Sequence, residues 1–198
     1  GKFSGAYTFD GEDDYVNASN TSGINNLGTV YSLSVWAKAN EEATSYRGIF
    51  HSGTTNDYGL MYKEGITNKL VHKPAGTSVD WDISSYDFTE WTHLVISRDG
   101  TSVFLYKDGD SLGEKTLASN DDLGFEIIGQ ANGNFFNGRI DEAAIYNRSL
   151  SPSEIENLYK RGALRLNLSV RSCDDDACSG ESWTDASENV SPLDLSLS

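Results

Sequence analysis

Residues 138–160, Gly-Arg-Ile-Asp-Glu-Ala-Ala-Ile-Tyr-Asn-Arg-Ser-Leu-Ser-Pro-Ser-Glu-Ile-Glu-Asn-Leu-Tyr-Lys, join two structural periods within a few residues. From Arg139 to Tyr146 the run reads as a strand through the middle of a sheet. Strict alternation turns Ile140, Glu142, Ala144 and Tyr146 to one side and Asp141, Ala143 and Ile145 to the other. A helix then starts at Ser151. Ser151 is at N-cap, Pro152 at N1 and Glu154 three residues on, which makes a capping box. Ile155, Leu158 and Tyr159 give this short helix one apolar side, and Gly162 is placed to stop it. The single capped helix comes late in a chain otherwise rich in strand signals, so helical bundles and alternating α/β folds are excluded.

The remaining segments alternate at period two between Gly, Asn and Asp turns. Residues 3–9 read as an edge strand, followed by the acidic turn Asp10-Gly11-Glu12-Asp13-Asp14. Tyr31 to Ala39 is a long strand, with Leu33, Val35 and Ala37 on one face and Ser32, Ser34, Trp36 and Lys38 on the other. Short strands are expected at 48–52, 58–62, 69–73 and 78–81. Trp91 to Arg98 turns at Asp99-Gly100 into Ser102–Lys107, and Asp108-Gly109 makes the next turn. One more strand is expected at 125–129. About a dozen short strands and one helix define an all-β sandwich.

Three stretches, in this order, resemble the laminin G-like jelly rolls of the concanavalin A-like lectin/glucanase group. They are Tyr7-Thr-Phe-Asp-Gly-Glu-Asp-Asp-Tyr-Val16, Trp91-Thr-His-Leu-Val-Ile-Ser-Arg-Asp-Gly-Thr-Ser-Val-Phe-Leu-Tyr-Lys-Asp-Gly109, and the strand–helix run at 138–160. The resemblance implies a concanavalin A-like jelly-roll β-sandwich of two antiparallel sheets, with one short helix near the C-terminal end. It covers residues 1 to about 162, so the expected division is a jelly-roll domain at 1–163 and an acidic extension at 164–198. That extension is read as the start of a following domain or as an extra hairpin.

The resemblance also implies a structural calcium ion. In such sandwiches the first and last strands are neighbours. Carried over, the Asp of the Phe-Asp-Gly turn and the Asp of the Ile-Asp-Glu strand give Asp10 and Asp141 as ligands. Calcium takes six to eight oxygens, which carboxylates and turn carbonyls supply. Asp13 and Asp14 are weaker candidates. Without an ion, Asp10 is an Asx-turn residue and Asp141 a solvated strand residue.

A sugar site needs exposed aromatic faces beside groups that bond hydroxyls. Residues 46–86 are the richest source of both. His51, Tyr58, Tyr62, His72 and Trp81 are the candidates, on what reads as a concave face; if they face inward they pack the sheet. Trp36 and Trp91 read as core. Catalysis is not expected. Glucanases of this fold carry Glu-x-Asp-x-x-Glu on one strand, which is missing here, and the adjacent Asp141 and Glu142 would point to opposite faces.

The 30 acidic and 15 basic residues leave a net charge of −15, which disfavours nucleic acid as a partner and tolerates divalent cations. The surplus reads as a solubility device or as adaptation to high salt. No apolar run is long enough to span a membrane. Cys173 and Cys178 lack the further ligands that zinc would need. They are expected to close a small disulfide loop, which implies an oxidising compartment. Five Asn-x-Ser/Thr sequons, beginning at Asn17, Asn20, Asn147, Asn167 and Asn189, fit an exported surface protein. With no signal peptide at its start, the sequence reads as a mature fragment. The expectation is therefore an extracellular or cell-surface module that binds glycans or cell-surface components. A protein-interaction or spacer module without a sugar site stays open beside it, and a glycoside hydrolase or lyase is the third reading.

Overall fold

The alternating segments pair into two six-stranded antiparallel sheets in the computed structural model, which describes residues 5–18, 26–40, 47–53, 58–64, 67–74, 76–163, 169–170 and 184–185. Sheet A holds β1 (Tyr7–Asp10), β3 (Val30–Ala39), β8 (Thr92–Asp99), β9 (Ser102–Lys107), β10 (Asp110–Thr116) and β14 (Asn137–Tyr146). Its order is β1-β14-β3-β8-β9-β10, so the first strand lies beside the last long one. Sheet B has the order β2-β11-β4-β5-β6-β7. It comprises β2 (Val16–Asn17), β4 (Arg47–His51), β5 (Tyr58–Glu64), β6 (Thr67–Lys73), β7 (Val79–Asp82) and β11 (Ile127–Ile128). A small ladder joins β12 (Gln130–Ala131) to β13 (Asn134–Phe135). The chain divides into two compact units, Gly1–Gly162 and Ala163–Ser198. In the second, β15 (Ser169–Val170) pairs antiparallel with β16 (Thr184–Asp185). Cys173 and Cys178 lie outside the described residues.

The core lies between the sheets. Leu33, Val35 and Ala37 of β3, Leu94 and Ile96 of β8, and Val103 and Leu105 of β9 meet Phe50, Leu60, Leu70 and Trp81 of sheet B. The other face of β3 carries Ser32, Ser34, Trp36 and Lys38, and the segment after β14 covers it. α1 (Pro152–Ala163) lays Ile155 and Leu158 on Val95, Phe104 and Tyr106. Burying a side chain such as Ile155 contributes about 1.5–3 kcal/mol. Ser32 and Ser97 stay satisfied because both Oγ atoms accept from Leu150 N, at 2.9 and 3.1 Å.

The capping box forms as the sequence indicates. Ser151 N donates to Glu154 Oε2 at 2.9 Å, and Glu154 N donates to Ser151 Oγ at 3.4 Å. Arg148 grips the same carboxylate through both guanidinium nitrogens, at 2.7 and 3.0 Å. These bonds hold Glu154 at a pKa of about 2, with the Arg148 bond the largest cause. Gly162, by contrast, does not stop the helix, which runs on to Ala163. Its role is contact: a Cβ there would lie 2.4 Å from the Trp36 indole nitrogen. The Asp108-Gly109 turn has φ of 52° and 88°, the left-handed pair a two-residue hairpin turn requires.

β14 departs from strict alternation. Its register against β3 shifts between Asp141 and Ala144, and Glu142 sits at φ 49°. Ile140 pairs with Ala37 and Ile145 with Leu33, so both isoleucines face the core although they are five residues apart. The extra residue of a β-bulge reconciles the two. Alternation alone put these residues on opposite faces, and the bulge corrects that.

Candidate functional site at the bulge of the last sheet A strand

The register of the first and last strands decides the fate of the proposed Asp10–Asp141 pair. Asp10 lies opposite Asn137 and Tyr7 opposite Ile140. Asp141 is four positions beyond Asn137, so the two Cα atoms are separated by about 13 Å at roughly 3.3 Å per residue. Oxygens on one calcium sit about 2.3–2.6 Å from it, so these two short side chains do not share an ion. The structure instead brings Asp10 together with Asp13 and Asp14. One carboxylate oxygen from each lies within 4.8 Å of the others. The turn is built by the carboxylates themselves: Asp10 Oδ1 accepts from Glu12 N at 2.8 Å, and Asp14 Oδ2 accepts from Asp10 N at 3.1 Å. All three residues are exposed, and their hard oxygen donors fit calcium.

The aromatic and histidine candidates of the middle strands do not form a sugar platform where their side chains are described. Trp81 is 3% exposed, packs in the core, and donates its indole N–H to Gly113 O at 3.0 Å. His72 is fully buried. Its Nδ1–H donates to Gly59 O at 2.6 Å, since a carbonyl can only accept. Its Nε2 therefore accepts from the Tyr31 hydroxyl at 3.0 Å, and that oxygen accepts from Arg98 Nη1 at 3.2 Å. Burial is the main reason the His72 pKa falls to about 4. It likewise raises that of Tyr31 above its usual range. His51 is also buried, and its Nδ1 accepts from Gly53 N at 3.1 Å. These three are structural residues. The side chains of Tyr58 and Tyr62 on β5 lie outside the described residues.

A groove does open elsewhere, at the edge where β1 and β14 meet β2 and β11. Its volume is about 390 Å³, within the range of small-ligand sites. Phe9 and Ile140 form its inner wall, with the half-buried Val16 and Ile128 beside them. Tyr7 pairs with Ile140 and so lies on the inward side of sheet A, yet it is 71% exposed at the mouth. Asp141, Glu142 and Ala143 complete the lining. Asp141 pairs with Trp36 and so lies toward the outer face of sheet A, while Glu142, at the bulge, borders both this groove and a smaller pocket with Ser34, Trp36, His93 and Arg161. Asp141 Oδ1 also accepts from Glu142 N at 2.9 Å, which helps fix the bulge.

Tyr7 and Glu142 line this groove although the sequence does not mark either as a site residue. A signal for the second was present. Ile140 and Ile145 cannot both be core residues of a regular strand, so an inserted residue between them was implied. Tyr7 gave no comparable sign, because its exposure depends on where the sheet ends.

A two-sheet antiparallel jelly roll with a helix over one face and a groove at its edge defines the class of module. The chain belongs to the concanavalin A-like lectin/glucanases superfamily, whose family model matches residues 10–156. No curated protein matches the chain significantly. Among solved structures, the binding domain of botulinum neurotoxin DC in complex with rat synaptotagmin II is similar, at 16% identity and a TM-score of 0.55. That match covers 75% of this chain but only 39% of that one. Domain 4 of AbnA, a GH43 extracellular arabinanase from Geobacillus stearothermophilus, was solved with arabinotriose. It is 20% identical with a TM-score of 0.53, covering 77% of this chain and 87% of that one. The Ruminococcus gnavus IT-sialidase CBM40, bound to alpha2,3 sialyllactose, is 10% identical with a TM-score of 0.61, covering 78% and 96%. At these identities the likeness is one of fold.

Proposed function

We propose that the chain is a non-catalytic carbohydrate-binding module of an extracellular or cell-surface protein, with its glycan site in the groove at the β14 bulge. The observation that carries this reading is the groove's make-up: an exposed Tyr7 ring beside an apolar wall of Phe9, Val16, Ile128 and Ile140, with the β14 bulge at its rim. The apolar face of a pyranose stacks on Tyr7, while Glu142 and backbone groups at the rim accept hydrogen bonds from its hydroxyls. The described cavity holds no Ser-His-Asp arrangement, and its two carboxylates are neighbours on one strand rather than facing partners across a bond. The oligosaccharide ligands of the arabinanase domain and the sialidase module support the class of ligand.

A calcium ion belongs to the same proposal as a staple of the β1–β2 turn. Asp10, Asp13 and Asp14 would hold it, and it would tie the turn down without taking part in glycan recognition.

The test is a glycan array probed with the wild-type chain and with Tyr7→Ala. Because Tyr7 is exposed, that change should leave the melting temperature unaltered and cut binding at least tenfold. A wild type that retains no glycan would sink the reading and favour a protein-interaction or spacer role. Undiminished binding by Tyr7→Ala would move the site elsewhere.

A further inference from the structure

We infer that a second pocket, on the outer face of sheet A beside the end of α1, binds a free α-amino acid through its ammonium and carboxylate groups. It stands apart from the glycan groove and shares only Glu142 with it. Its floor comes from the face of sheet A turned away from the core. Ser34 and Trp36 lie there on β3, and His93 pairs with Trp36 from β8. Tyr146 joins them from β14. Glu142 at the bulge and Arg161 in the last turn of α1 are exposed and mark the mouth. The cavity is about 50 Å³. One water needs roughly 10–15 Å³ of such space, so the pocket takes the equivalent of a few waters. That suits a compact polar head group rather than a sugar ring.

The charges select the ligand. Glu142 and Arg161 have opposite signs, and among the described residues no ion pair joins either to another side chain. They are the only charged groups in the described lining. Burial lowers the His93 pKa to about 4, so its ring is neutral at pH 7. Asp108, which accepts from His93 N, is already paired with Lys107. A bare anion would be drawn by Arg161 and repelled by Glu142, and a bare cation the reverse. A molecule with both charges meets both partners. Arg161 offers a carboxylate the planar fork of its guanidinium, and Glu142 accepts from an ammonium group. The floor adds an independent sign. His93 is 2% exposed; its Nε2 lies 3.0 Å from Ser34 Oγ, but its Nδ1 has no partner in the protein. Buried polar atoms without a partner are rare, and this one leaves bonding capacity unused in a residue that lines the pocket.

NMR titration of the full chain at pH 7, followed on the Trp36 indole N–H, tests the inference. Glycine and alanine are expected to give saturating shifts. Acetate and methylamine, with one charge each, should bind at least tenfold more weakly. So should glycine betaine, which keeps both charges but has no N–H to donate to Glu142. Arg161→Gln and Glu142→Gln should each weaken glycine at least tenfold and leave the melting temperature unaltered, since both residues are exposed. Shifts that never saturate with glycine would overturn the inference. So would acetate, methylamine or betaine binding as tightly as glycine, or glycine binding that survives the double substitution. None of these probes is a sugar, so the result leaves the glycan reading to its own test.

Discussion

Acid should destabilise this domain well above the range where carboxylates titrate, through two buried imidazoles. His72 is locked between Tyr31 and Gly59, with the Arg98 guanidinium one hydrogen bond away. His93 is stacked against Trp36 and Tyr159, at centroid distances of 5.1 and 6.2 Å, with Ser34 Oγ 3.0 Å from Nε2. Burial is the main cause that lowers each pKa from 6.5 to about 4; for His93 the charge of Asp108 opposes it in part. The folded state therefore resists protonation while the unfolded chain accepts it. The stability tied to neutral imidazoles is complete above pH 6.5 and is lost as pH falls from 6.5 toward 4. At pH 5 the unfolded histidine lies 1.5 units above the pH, and one unit is worth about 1.36 kcal/mol. Each group thus costs about 2 kcal/mol there, and the pair about 4 kcal/mol. With a urea slope of about 2 kcal/mol/M, the unfolding midpoint should drop by roughly 2 M between pH 7.5 and 5. Tryptophan fluorescence follows the transition, since Trp36 and Trp81 are buried. His72→Gln removes one of the two titrations and should halve the dependence on pH, whatever it does to stability at pH 7.5. A midpoint that stays constant down to pH 5, or a His72→Gln variant with the full wild-type dependence, would refute the reasoning.

Four further outcomes are expected. Trp81→Ala should lower stability by about 3–5 kcal/mol, measured by urea unfolding, because it empties a core position. EDTA should lower the melting temperature of calcium-loaded wild type and leave Asp10→Ala unaffected, while Asp141→Ala should still respond like the wild type. Glu142→Gly should stabilise the fold by roughly 1 kcal/mol by relieving the positive φ, and weaken glycan binding in the same preparation. Gly162→Ala should destabilise the domain despite alanine's better helix propensity, seen as a lower melting temperature, because its methyl group meets the Trp36 ring.

The sequence determined the architecture because the signals for it are local. Alternating runs such as Leu33, Val35 and Ala37 can bury one face only as half-buried strands, and the Asp108-Gly109 pair admits little besides a tight hairpin. Ser151 and Glu154 specify the helix start by their own hydrogen bonds. The site was less legible. Trp81 and His72 carry the residue types of a sugar platform, yet whether they face a core or a solvent surface depends on what the other sheet places against them. Asp10 and Asp141 sit on neighbouring strands, but only the register shows them at opposite ends of the shared ladder. The groove lies where the sheet runs out at Tyr7 and where the bulge of β14 brings Glu142 to its rim. The register and the bulge of β14 are set by its pairings with β1 and β3, about a hundred positions or more away in the chain. A single strand's pattern carries its own period and its own turns, and the partner across the sheet decides the rest.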